Sequence, residues 1–262
     1  MSAAAEGGAP ILTIRHVSVR FGGIVAVDDV SFDVPRGAIC GLIGPNGAGK
    51  TTLFNCISGL YRPERGSILF ERVSLLDEPV HAMAGLGIAR TFQNLALFGG
   101  MTVRDNILVG GHCRARGGFA ANGLALPFVH RQERRLREHA ETLIEALDLS
   151  AVADSPVAAL TFATRKRVEL ARALASEPRL LLLDEPAGGL NHEEVDRLRE
   201  LIVALRRRFD LTILLVEHHM GLVTRVSDLV VVLNFGRLIA QGPPGEIQGD
   251  PRVVSAYLGA AA

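Results

Sequence analysis

Eight consecutive residues, Gly44-Pro-Asn-Gly-Ala-Gly-Lys50-Thr51, constrain this chain more than any other part of it. They fit G-x-x-x-x-G-K-[ST] and stand between an aliphatic run, Ala38–Ile43, and the helical-looking stretch TLFNCISGL. Glycines let the backbone wrap tightly so that successive N–H groups face one anion, and the following helix presents its positive N-terminus to the same point. The pattern predicts a phosphate chain cradled by Gly44, Pro45, Asn46, Gly47, Ala48 and Gly49. Lys50 would neutralise the β- and γ-phosphates, and the Thr51 hydroxyl would serve Mg²⁺. A Gly-rich turn with no ligand is the plain alternative, and the flanking strand and helix argue against it.

Two further aliphatic runs, Leu180–Leu183 and Leu211–Val216, are as continuous as Ala38–Ile43. Such runs suit parallel strands buried on both faces, and the first part of an α/β fold. Each ends in polar residues that packing does not require: Asp184-Glu185-Pro186 after one, His218 after the other. In phosphoryl transfer one acid can help hold Mg²⁺, directly or through water, while another orients or deprotonates the attacking water. Asp184 suits the first role and Glu185 the second. A helix N-terminal charge feature is the rival reading of the pair. Lys50, Asp184 and His218 each follow the carboxyl end of a buried strand, where open α/β sheets bind ligands. His219 competes with His218 for the same role.

Elsewhere the alternation from Ile11 to Val34, with Gly22-Gly23 as a turn, predicts a β-rich opening. Arg131–Leu149 reads as an amphipathic helix, with Leu136, Ala140, Leu143 and Leu147 on one face. Asn191 and Glu194 have the spacing of a capping box ahead of an apolar stripe, Val195, Leu198, Ile202, Leu205 and Phe209, which reads as core. Gly110–Asn122, rich in Gly, Ala and Arg, reads as a loop inside an inserted helical subdomain. Its arginines, with Arg131, Arg134, Arg135 and Arg137, read as a solvated face before they read as a lipid or protein contact.

Lys+Arg and Asp+Glu number 28 each, a balance that argues against coating a polyanion and so against a nucleic-acid partner. No apolar stretch approaches the roughly 18 residues of a spanning helix. The opening MSAAAEGGAP lacks a basic start and an apolar centre, and residues 1–10 read as a disordered tail of a cytoplasmic chain. Cys40, Cys56 and Cys113 have no metal-ligand spacing and read as buried, reduced thiols.

In their order along the chain, Phe21, Gly44–Thr51, Gln93, Leu160–Thr164, Asp184-Glu185, Asn191 and His218 resemble the ATP-binding subunits of ABC transporters. The likeness covers almost everything after the first ten residues. It implies a P-loop NTPase core with a mostly parallel sheet, an N-terminal antiparallel β subdomain and an inserted α-helical subdomain. Residues 11–262 would form one ABC ATPase domain, with the helical insertion at about 95–165. By that likeness Phe21 stacks on adenine, Thr52 assists phosphate binding, and Gln93 in RTFQN senses Mg²⁺ and the coupling partner. Ala187–Asn191 is the loop between paired subunits, and His218 contacts the γ-phosphate. The partners implied are a second ATPase subunit, identical or similar, membrane permease subunits that hold the chain at the inner face of the membrane, and, indirectly, an external solute-binding protein.

GLGIARTFQNLALFGGMTVRDNILVG and DPRVVSAYLG look like the branched-chain amino-acid uptake branch of this family, whose relatives also serve urea or short amides. One segment departs. Where the family reads close to LSGGQ, this chain has Leu160-Thr161-Phe162-Ala163-Thr164. In the family this segment closes over the γ-phosphate held by the opposite subunit. A Cβ at Ala163 would crowd that approach, and would be strained wherever the backbone needs positive φ. Two rival functions follow: a soluble ABC ATPase outside transport, and a regulatory ATP-binding subunit with weak catalysis.

Overall fold

The computed structural model describes residues 9–91, 95–114 and 127–258, without the side chains of 127–129. Among them the strands are β1 (Leu12–Phe21), β2 (Ile24–Val34), β3 (Ile39–Ile43), β4 (Arg65–Phe70), β5 (Val73–Ser74), β6 (Ile88–Arg90), β7 (Leu180–Asp184), β8 (Thr212–Val216), β9 (Leu229–Asn234) and β10 (Arg237–Gly242). The helices are α1 (Lys50–Ile57), α2 (Met83–Leu86), α3 (Val103–Gly110), α4 (Pro127–Ala146), α5 (Phe162–Leu174), α6 (His192–Arg208), α7 (Met220–Val226), α8 (Pro244–Gly249) and α9 (Pro251–Leu258). The chain divides into two compact units, Met1–Met83 with Leu182–Ala262, and Ala84–Leu181.

In the first unit an antiparallel sheet has the order β2-β1-β4-β5. Along β1 the buried positions are Leu12 and Ile14, then Val17 and Val19, so the period of two slips by one residue. A register irregularity between Ile14 and Val17, with His16 at φ 51°, absorbs the slip and keeps the apolar set on one face. The second sheet runs β10-β9-β3-β8-β7-β6. β3 pairs in parallel with both β8 and β9, and β3, β7 and β8 are buried at every position, as their unbroken aliphatic sequence requires. β9 and β10 are antiparallel, joined at Phe235 and Gly236, both with positive φ, the backbone of a two-residue hairpin turn. The closing helices α8 and α9 set Ile247, Val253 and Tyr257 against Ile43, Val230 and Val232. The predicted capping box is present: the Asn191 side chain accepts from the Glu194 N–H, the Glu194 side chain accepts from the Asn191 N–H, and Val195, Ile202 and Leu205 are buried.

The second unit holds β6, the start of β7 and the helices α3, α4 and α5. α3 approaches α5 so closely that a Cβ on Gly110 would lie 2.0 Å from the Arg172 carbonyl oxygen. The fully buried Asn106 side chain accepts from the Phe98 N–H and donates to the Phe98 and Thr102 carbonyls, fixing the turn that opens α3. α4 starts at Pro127, ahead of the predicted Arg131, and buries Ala140 and Leu143. Gly110 ends α3 and His112–Arg114 form a 3₁₀ turn, so only the rest of the predicted loop, 115–122, falls outside the described residues. The tail at 1–8 and Gln93 fall outside them too. Cys40 and Cys56 are buried thiols; Cys113 is exposed, against expectation, because the 3₁₀ turn carries it to the surface.

Candidate functional site

The loop between β3 and α1 is shaped by glycines at three left-handed positions. Gly44 has φ +151° and Gly49 φ +97°, and a Cβ on either would strike a backbone oxygen, Leu233 O at 2.1 Å and Ala26 O at 2.4 Å respectively. Gly47, at φ +78°, has open space around it and needs glycine for its backbone alone. Pro45, Asn46 and Ala48 fill the loop between them. Gly49 is the N-cap of α1 and offers no side-chain acceptor, so the first-turn N–H groups of Lys50, Thr51 and Thr52 meet whatever anion occupies the loop. Thr51 is exposed and Thr52 half-buried.

Lys50 is buried, and its ammonium donates to the carbonyls of Gly44 at 2.6 Å and Pro45 at 3.0 Å. Burial pushes its pKa down, opposed by the charge of Glu185, the residue that follows β7. A phosphate presented to this lysine exchanges two neutral acceptors for charged ones, a stronger bond.

Asp184 closes β7, buried at 5% exposure. Glu185 follows at φ 46°, a left-handed conformation uncommon for a non-glycine residue, and turns the chain off the sheet. Its N–H donates to Val216 O at 2.9 Å, so the carboxyl ends of β7 and β8 lie side by side. His218, after β8, is exposed, and its Nδ1 is 4.0 Å from Glu185 Oε1. His219 is engaged differently: its Nδ1 accepts from the Leu222 N–H at 3.2 Å and caps α7. Geometry thus separates the two histidines, one beside the carboxylate and one holding a helix.

Phe21, at the β1–β2 turn, is exposed and makes an edge contact with Tyr61, ring centroids 5.3 Å apart at 73°. Sequence reasoning missed Tyr61; an exposed aromatic after a short helix was the available signal. It also passed over Glu217, a fully buried carboxylate at the end of an aliphatic strand. Asn191 and Gly189, the latter at φ 78°, shape the turn between Glu185 and α6.

In the second unit Leu160 precedes α5, and Thr161 is its N-cap, accepting from the Thr164 N–H at 3.3 Å, with the two hydroxyls 2.9 Å apart. Phe162 is exposed beneath the Lys166 ammonium, 5.4 Å from the ring centroid. Ala163 lies within α5 with helical backbone and negative φ, so the condition under which its Cβ would be strained is not met.

Residues 27–188 match the family model of ABC transporters, and residues 237–262 match a model described as branched-chain amino acid ATP-binding cassette transporter. The chain is 42% identical over 252 residues to the high-affinity branched-chain amino acid transport ATP-binding protein BraF of Pseudomonas aeruginosa, covering 96% of this chain and 99% of that one. It is 41% identical, with the same coverage, to LivG of Escherichia coli, which bears the same description. A lipopolysaccharide export system ATP-binding protein, LptB of Acidithiobacillus ferridurans, is 37% identical over 90% of this chain and 91% of its own length. Among solved structures, the ADP conformation of MJ1267, an ATP-binding cassette of an ABC transporter, superposes with a TM-score of 0.83 at 30% identity, covering 96% of this chain and 99% of that one. A loop built for phosphates, carboxylates at neighbouring strand ends and this extent of likeness lead to one conclusion: the chain belongs to the ABC transporter family as an ATP-binding, ATP-hydrolysing subunit.

Proposed function

We propose that this chain energises the import of branched-chain amino acids, or of a closely related small solute, by hydrolysing ATP against membrane permease subunits. The observation that carries the reading is the match of the closing segment, residues 237–262, to the branched-chain cassette model, beside 42% identity to BraF across nearly the whole chain. No helix among the described residues is long and apolar enough to cross a membrane, which fits a subunit docked on the inner face through its permease. An external binding protein would deliver the solute.

Within the site, Phe21 stacks on the adenine, and Gly44–Thr52 hold the phosphates. Glu185 takes the proton of the attacking water, and His218, beside it, contacts the γ-phosphate. The Thr51 hydroxyl and the Asp184 carboxylate are hard oxygen donors that fit Mg²⁺, with Gln93 as a further contributor. The ion supplies charge neutralisation on the β- and γ-phosphates. A second cassette, identical or similar, closes the site with its own Leu160–Thr164 segment, and Ala187–Asn191 faces that partner. Residues 11–262 act as one ABC ATPase domain, with its helical insertion at about 95–165 carrying motion to the permease.

The test is ATP hydrolysis by the purified chain, then by the chain reconstituted in vesicles with its permease and its external binding protein, supplied with leucine or urea. Glu185→Gln is expected to bind ATP and turn over at least about 10²-fold more slowly, the usual weight of a general base. Near-normal turnover in that variant moves the base elsewhere. Stimulation by urea and not by leucine reassigns the solute.

A further inference from the structure

Glu217 directly follows the buried strand β8, one residue before His218, and is 0% exposed. A carboxylate taken wholly out of water is costly unless donors meet it. Three donors do, all from the backbone. Oε1 accepts from the Ala187 N–H at 2.7 Å, and Oε2 accepts from the His218 and His219 N–H groups at 3.0 and 3.1 Å.

This one side chain therefore bridges two loops that leave different strands. One follows β7 and carries Glu185, two residues before Ala187; the other follows β8 and carries His218. His218 Nδ1 stands 4.0 Å from both Glu185 Oε1 and Glu217 Oε2. An aliphatic residue at 217 would continue the packing of β8 but leave three N–H groups without their acceptor, so the carboxylate is present for the loops and not for the core.

We propose that Glu217 is a positioning residue for ATP hydrolysis: a buried carboxylate staple that sets Glu185 against the His218 ring by gathering the Ala187, His218 and His219 amides. The proposal rests on the roles given above to Glu185 and His218. It assigns Glu217 to the geometry of turnover, while nucleotide capture stays with Gly44–Thr51.

Glu217→Gln keeps the shape but offers one acceptor oxygen, so it can receive the amides of one loop only. Glu217→Asp keeps both oxygens on a side chain one methylene too short to span the loops. The full chain is assayed for kcat and KM, for ATP affinity at equilibrium and for thermal midpoint, with each variant alone and combined with His218→Ala. Glu217→Gln is expected to lower kcat about 10- to 100-fold, the scale of an ångström-sized misplacement, with ATP affinity kept within about threefold. Added to His218→Ala it should cost little more, because both changes undo one arrangement. Glu217→Asp should show the same pattern more weakly, and it carries the test if the Gln chain does not fold.

Unchanged kcat per folded molecule, or losses that multiply with His218→Ala, overturns the staple. A Glu185→Gln chain with Glu217 intact that turns over normally overturns the site reading itself, an outcome seen independently of any Glu217 variant.

Discussion

Gly44 and Gly47 belong to one motif and differ in what holds them there. At Gly44 a Cβ would meet Leu233 O at 2.1 Å, whereas at Gly47 it would meet nothing within 4 Å. Gly44→Ala must displace the end of β9 or the loop, at a cost of about 2–4 kcal/mol, together with most ATP affinity. Gly47→Ala carries only the left-handed penalty of about 1–2 kcal/mol. Urea unfolding and an equilibrium ATP titration on both variants check the contrast. The motif itself was legible because it is local. The reason for each glycine was not, since Leu233 and Ala26 lie far away in the chain. Glu217 was passed over for the same reason: the amide of Ala187 reaches it only across the folded sheet. The thiols give a second prediction. Burial pushes Cys40 up to about 12 and Cys56 up to about 11. Unfolded, both ionise near 9.0, so the stability they hold in the neutral form is full below that pH and is lost as pH rises through about 9 to 12. A maleimide at neutral pH should label Cys113 first and reach the other two only with unfolding; equal labelling of all three would contradict the burial.

At the scale of elements, the continuous aliphatic runs and the capping box gave strands and a helix start close to those observed, because burial on both faces and cap geometry are written locally. The start of α4 at Pro127 was legible and passed over: proline suits a first helical turn, and Val129 stands seven residues before Leu136. The conformation of Ala163 was not legible. Its place in α5, behind the Thr161 cap, makes alanine the better helix residue there. Ala163→Gly is therefore expected to cost about 0.5–1 kcal/mol, read from the urea midpoint, and to bring no gain in ATP turnover. A several-fold gain would show that this methyl group crowds the nucleotide held by the opposite subunit.

At the scale of the molecule, the sequence identified an α/β chain of the ABC family but underplayed its closing segment. α8 and α9 bring Ile247, Val253 and Tyr257 onto Ile43, the residue directly before Gly44. A chain lacking 243–262 should lose about 3–6 kcal/mol, from two fully buried aliphatic side chains at about 1.5–3 kcal/mol each. Its ATP affinity should fall although every motif residue is intact. Thermal unfolding and nucleotide titration measure both, and undiminished affinity would uncouple the segment from the loop. The second unit, Ala84–Leu181, extends beyond the helical stretch that periodicity outlines because β6 and the start of β7 cluster with the helices.

The left-handed backbone of Glu185 has a consequence for laboratory evolution. At φ 46° asparagine is at ease where glutamate is not, so Glu185→Asn should be the more heat-tolerant chain. A library sorted only for soluble expression would then enrich replacements at this codon and discard the carboxylate proposed to activate water. Any screen for robust variants of this ATPase needs turnover as a second gate.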